Sequence, residues 1–280
     1  MDLGLKDSVA FITGASKGIG KAIAEVLAEE GCKVVITARG EALLRQVAED
    51  ISARTGVEVL AVAGDMMVTA EVERAVQAAY DRFERIDVLV PCAGAATPGV
   101  FETITEEQWL SSLNLKFMGY VRALKVVLPR MRERGHGSVV MVVGNDGLKN
   151  PYYEVAPGAA NAADINLASA LAEQYGRYGI RINTVNPGPV DTERWAWGEA
   201  TLARNKSIDV EQARKLVLAS LPLNRICKPQ EIANVVAFLA SPRASYVSGA
   251  NIPVDGAQRK ALMDADLVLR DLELSATGTS

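Results

Sequence analysis

One junction limits this 280-residue chain more than any other. A β-rich apolar run, Ser8–Thr13, passes straight into "TGASKGIG" (Thr13–Gly20) and from there into a helical pattern. Glycines at 14, 18 and 20 let the backbone turn tightly and bring amides close to a diphosphate at a helix N-terminus. Such a spacing is weak evidence alone and strong evidence between the first strand and first helix of a βαβ unit. The same rhythm continues. Lys33–Thr37, Val57–Ala63, Val88–Val90, Ser138–Val143, Arg181–Asn186 and Asn251–Val254 read as further strands. Ile19–Glu30, Glu41–Thr55, Ala70–Phe83, Glu106–Arg134 and Gly158–Tyr178 carry apolar residues at helical spacing. Strands apolar on both faces, alternating with helices, predict a single-domain α/β fold: a doubly wound parallel sheet of about seven strands with helices on both faces.

No linker tract or repeat divides the chain, so residues 1–258 are expected to form one unit and residues 259–280, ending "SATGTS", a C-terminal extension. Thr192–Leu221 breaks the rhythm between a strand and the last helix, where insertions often serve as lids on a ligand crevice. It carries Trp195, Trp197, Arg194, Arg204 and Lys206. Tryptophans suit a sizeable, partly apolar substrate and cations an anionic one, such as a carboxylate or a coenzyme A phosphate; packing and solvated charge explain the same residues equally well.

A net charge of −4 excludes a general electrostatic attraction to nucleic acid or to an anionic membrane. No apolar run approaches the roughly 20 residues of a membrane span, and the N-terminus lacks a signal pattern, so a cytoplasmic protein is expected. Cys32, Cys92 and Cys227 are odd in number and lack metal-ligand spacing; they read as buried free thiols, and no metal is expected. The single histidine, His136, lies in a helix-end turn, which argues against a His-based triad or metal site.

The second strand ends "VVITARG". An acid there would bind the adenosine ribose hydroxyls and repel a 2′-phosphate. The chain has Arg39 instead, with Lys17 in the glycine loop, and two cations favour NADP(H) over NAD(H).

With these motifs in view, residues 4–258 resemble the short-chain dehydrogenase/reductase superfamily, whose fold is of Rossmann type. The resemblance is carried by "TGASKGIG" (13–20), "GD" (64–65), "CAG" (92–94), the asparagine of "LNLKFMGY" (113–120), "YGIRINTVNPGPVDT" (178–192) and "YVSGANIPVDGA" (246–257). It implies a cofactor site made by Gly14, Ser16, Lys17, Gly18, Ile19, Gly20, Arg39, Asp65, Met66, Ala93, Gly94, Pro187, Gly188 and Thr192. Asp65 would lie near the adenine, Ala93-Gly94 beside the adenosine ribose, and Pro187-Gly188 with Thr192 near the nicotinamide. "PCAG" departs from the family's usual Asn-Asn-Ala-Gly and removes two side-chain amides.

The same resemblance exposes a loss. The family usually places a tyrosine and a lysine four residues apart, on one helix face, as acid and activator, and a serine after the fifth strand to bind the substrate oxygen. Register from "GIRIN" (179–183) and from "GSVVMVVGNDG" (137–147) puts Pro157, Asn161 and Gly144 at those positions; only Asn114 of the usual tetrad remains. Acid–base catalysis contributes about 10²–10⁴-fold and oxyanion donors about 10²–10³-fold, so ordinary carbonyl reduction needs substitutes. Tyr153 and Tyr152 are the candidate acids, with Asn145, Asp146, Lys149 and Asp164 as nearby polar groups. Three readings stay open: an NADP(H)-dependent oxidoreductase acting on a carbonyl or alcohol through a rebuilt proton relay, a non-redox lyase or hydratase, and a silent subunit of an active homologue. The partners expected are a small-molecule substrate and further subunits, as a homodimer or homotetramer or in a hetero-oligomer with an active relative.

Overall fold

The computed structural model describes residues 2–95, 99, 101–150, 154–219 and 221–258, apart from the side chains of Trp197 and Asn205. Seven parallel strands, β1 (Val9–Thr13), β2 (Lys33–Ala38), β3 (Val59–Ala63), β4 (Val88–Val90), β5 (Gly137–Val142), β6 (Ile180–Pro187) and β7 (Asn251–Val254), form one sheet in the order β3-β2-β1-β4-β5-β6-β7. The order reverses between β1 and β4, so their carboxyl ends open a crevice where ligands of such sheets bind.

Alternation along each strand feeds two apolar layers. Ile12, Val34, Ile36 and Val140 point to one face and pack with α1 (Gly18–Glu29), α2 (Glu41–Thr55) and α10 (Pro229–Ala240). Phe11, Val35, Val139 and Met141 point to the other and pack with α3 (Thr69–Phe83), α5 (Gly119–Arg134) and α7 (Val155–Gly176). Both faces are thus covered, as the near-continuous apolar runs require.

Three elements differ from the sequence expectation. The helix expected over Glu106–Arg134 is interrupted: α4 (Glu106–Leu113) and α5 are joined by a π-turn at Asn114–Met118. Helical periodicity persists across such a turn, which hides it from pattern reading. The polar stretch after β5 is not a loop but a one-turn helix, α6 (Asp146–Lys149). Helix α7 begins at Val155 and not at Gly158; Pro157 fits in its first turn, where N–H groups lack intrahelical acceptors.

The insertion over 192–221 folds as α8 (Glu193–Lys206) and α9 (Val210–Ala219), around a small apolar cluster of Leu202, Ala203, Ala213, Val217, Leu221 and Ile226. Trp195 packs on that cluster and its indole N–H donates to Glu199 Oε1 at 2.9 Å. Residues 259–280 lie outside the described residues. Cys32 is buried and free, whereas Cys92 and Cys227 are only half-buried, short of the burial expected for all three.

Candidate active site

At the carboxyl end of β1, Thr13 Oγ1 accepts the N–H groups of Cys92 (2.9 Å) and Ala93 (3.0 Å), which locks the ends of β1 and β4 together. The loop that follows has no room for a side chain at Gly14 or Gly20. A β-carbon on Gly14, at φ +69°, would stand 2.7 Å from Ala93 Cα, and one on Gly20 would run into the Gly14 carbonyl oxygen. Helix α1 starts at Gly18 without a side-chain cap from Lys17, leaving its first-turn N–H groups to an anion. This cradle fits a dinucleotide diphosphate.

The other predicted cofactor residues surround it. Ser16, Lys17 and Gly18 line a groove beside Lys21, and Ile19 packs on the adjoining core layer. Arg39 is exposed at the end of β2, while Lys17 forms a 2.8 Å ion pair with Glu193 at the start of α8. Asp65 accepts the Met67 N–H at 2.9 Å and steadies its own turn; Met66 is buried. Gly94 lies against the Lys116 stem, and Thr192 Cγ2 approaches the β position of Gly18. A β-carbon on Gly188 would stand 2.8 Å from Asp255 Cβ. The chain is clamped there: Lys149 Nζ pairs with Asp255 Oδ2 at 2.6 Å, and Asn145 Nδ2 donates to Gln258 Oε1 at 2.9 Å. Lys149 is therefore a half-buried strut and not a solvated loop charge.

Gly144 and Asn161, the positions that the sequence register sets opposite the family's serine and lysine, are packed against one another. Asn161 Nδ2 donates to Asp146 Oδ1 at 2.5 Å, and both residues are buried. A β-carbon on Gly144 would run into Asp146 Oδ1 and stand 2.7 Å from Asn161 Nδ2. A carboxylate oxygen thus occupies the ground a serine side chain would need. Close approach of α6 to α7 puts it there: a β-carbon on Gly147 would stand 2.8 Å from the Ala162 nitrogen. Pro157 is buried one turn before Asn161 on the same face of α7.

Asn114 lies elsewhere in this arrangement. It opens the π-turn, and its Oδ1 accepts from the Arg122 guanidinium at 2.6 Å; Arg122 also holds the Asn114 and Met66 carbonyls. Tyr152 and Tyr153 lie outside the described residues.

Three titratable groups complete the crevice, and the sequence analysis singled out only one of them. Asp164 is 1% exposed, with neither carboxylate oxygen hydrogen-bonded, and burial pushes its carboxyl up to about 8 against the opposing influence of Lys116. Glu154, at the cap of α7, is raised to about 7 by burial and then by the like charge of Asp146, with Arg194 and Lys116 acting the other way. Lys116, in the π-turn, is lowered by burial and by the like charge of Arg194, with Asp146, Asp164 and Glu154 acting the other way. Lys116 and Glu154 carry no signal in the one-dimensional pattern; a π-turn brings Lys116 within the influence of Asp164, and a helix cap brings Glu154 within that of Lys116. The buried Tyr120 phenol is committed to the Val142 carbonyl at 2.8 Å, and burial pushes the Cys92 thiol up to about 12, which leaves both inert. Perturbed groups concentrated in a cleft mark chemistry more often than architecture.

Comparison with known proteins agrees with this placement. A family model described as "Enoyl-(Acyl carrier protein) reductase" matches residues 14–257. The chain is 35% identical over 260 residues to a 3-oxoacyl-(acyl-carrier-protein) reductase of Vibrio cholerae, covering 91% of this chain and 98% of that one. It is 30% identical to an NADPH-dependent reductase of Bacillus subtilis, covering 90% and 98%. The crystal structure of L-sorbose reductase from Gluconobacter frateurii, complexed with NADPH and L-sorbose, superposes with a TM-score of 0.88 at 32% identity, covering 93% of this chain and all of that one. The glycine cradle, the reversal of strand order above it and these matches together place the chain in the short-chain dehydrogenase/reductase superfamily.

Proposed function

We propose that the protein is an NADP(H)-dependent oxidoreductase acting on the carbonyl or alcohol group of a small molecule, with a proton relay that does not use the family's usual positions. Its cofactor is held by the Gly14–Gly20 cradle, the α1 N-terminus and the exposed Arg39. The observation that carries the reading is the unpartnered, buried Asp164 carboxyl, on which Lys116 acts. Burying an unbonded carboxyl is costly, and a fold keeps one where its protonation is used.

When bound, the reduced nicotinamide supplies a hydride. The chain must orient the carbonyl, exclude water and place one proton on its oxygen. Gly144 and Pro157 have no proton to give, and Asn161 is committed to Asp146. The proton therefore passes through the groups that burial has brought towards neutrality. Helices α8 and α9 close one side of the crevice, with Arg194 facing Glu154 and Lys116. That cation suits an anionic substrate, including acyl thioesters of coenzyme A. We read the assembly as a homo-oligomer.

The test is consumption of NADPH with a panel of ketones, aldehydes and β-ketoacyl thioesters. Turnover with loss of nicotinamide absorbance supports the reading. Stoichiometric NADPH binding without turnover replaces it with a silent subunit; turnover without an absorbance change replaces it with a non-redox lyase or hydratase.

A further inference from the structure

Lys116 reaches the crevice from an unusual backbone. The π-turn at Asn114–Met118 inserts between α4 and α5, and such turns re-aim side chains, often at functional sites. The Lys116 stem lies along Gly94: its Cγ and Cε each stand 3.7 Å from where a β-carbon on Gly94 would be. A β-carbon at 94 would meet that stem at ordinary van der Waals distance, so the Lys116 side chain runs alongside the turn that follows β4. There the ammonium is acted on by the charges of Asp146 of α6, Arg194 of α8, Asp164 within α7 and Glu154 at the cap of α7. Among the described residues Lys116 closes no ion pair with any of the three carboxyls. An ammonium surrounded by carboxyls yet bound to none of them is placed to bond something else.

We propose that Lys116 is the proton donor of this site, carried by the π-turn to the edge of the cofactor cradle where Gly144, Pro157 and Asn161 offer none. This rests on the carbonyl-reducing reading above. As the carbonyl carbon gains a hydride, the C=O π pair moves to oxygen and closes an O–H bond with a proton from Lys116 Nζ, whose N–H bond breaks. The product is the alcohol, the cofactor is oxidised by two electrons, and Lys116 is left a neutral amine. Glu154, facing Lys116 from the cap of α7, returns a proton drawn from solvent. Burial supports the assignment, since it weakens the hold of the Lys116 amine on its proton, against the opposing pull of Asp146 and, where they are ionised, of Asp164 and Glu154.

The experiment compares wild type with Lys116→Met and Lys116→Arg in the full chain. Both variants are expected to lose about 100-fold or more in kcat, with an unchanged Kd for NADPH by fluorescence titration and an unchanged melting temperature. Arginine keeps the charge but does not release a proton near neutrality, so its failure separates donor from mere cation. A second readout needs no cofactor: after reductive ¹³C-methylation of the lysines, one methylamine resonance of the wild type is expected to titrate below the others and to be missing from Lys116→Met. Recovery of kcat in Lys116→Arg overturns the proposal, as does an amine at 116 that titrates with the surface lysines. If wild type reduces no carbonyl compound, the proposed function falls, while the amine titration still decides whether Lys116 is poised to give up a proton.

Discussion

Placing a serine at position 144 is expected to damage this protein. In Gly144→Ser the new β-carbon collides with Asp146 Oδ1 and stands 2.7 Å from Asn161 Nδ2. Neither group can yield alone, because each is the other's hydrogen-bond partner at 2.5 Å and both are buried. The substitution must break a hydrogen bond to a charged group, which costs about 1.5–3 kcal/mol. For a domain of this size each kcal/mol lowers the melting temperature by about 2–4 °C, so a fall of about 3–12 °C is expected by scanning calorimetry. Adding Asp146→Ala removes the colliding carboxylate and should return most of that loss. The same reasoning says that Gly144→Ser, Pro157→Tyr and Asn161→Lys together will not give a working reductase while Asp146 remains. A Gly144→Ser protein that melts with wild type, or a double variant melting below the single one, would refute the claim that Asp146 holds the serine's place.

Two further outcomes are expected. Asp164 has a folded-state pKa of about 8 against 3.8 for an ordinary aspartate, so between about pH 4 and pH 8 the folded protein keeps a proton that the unfolded chain has released. Stability contributed by that proton is whole below about pH 4, declines as pH rises and is gone above about pH 8; Glu154, raised to about 7, adds a slope of the same sign. Melting curves at pH 5 and pH 8.5 should therefore diverge less for Asp164→Asn than for wild type, and parallel behaviour counts against the buried neutral carboxyl. Arg39→Ala removes the exposed cation at the end of β2; losing charge-assisted hydrogen bonds worth about 1.5–3 kcal/mol should weaken NADPH binding by about 10–100-fold while leaving NADH alone. Equal losses for both nucleotides in fluorescence titrations would contradict a 2′-phosphate contact.

Much of this protein was determined by local sequence. Alternating apolar runs and helical spacings specify a parallel sheet covered on both faces, because period and burial are properties of short segments. The glycines at 14, 18 and 20 specify the cradle for the same reason: β-carbons at 14 and 20 would press on Ala93 and on the Gly14 carbonyl, and Gly18 holds a positive φ. The register that sets Gly144, Pro157 and Asn161 opposite the family's serine, tyrosine and lysine is likewise read from the sequence alone. What surrounds those positions was not legible. Asp146 stands over Gly144 only because α6 packs on α7 at Gly147, Lys116 reaches Gly94 only through a π-turn, and Glu154 joins them from a helix cap. Residues 38 positions apart, such as Lys116 and Glu154, shift each other's protonation through space, and that coupling, with the desolvation behind it, exists only once the chain has closed around them.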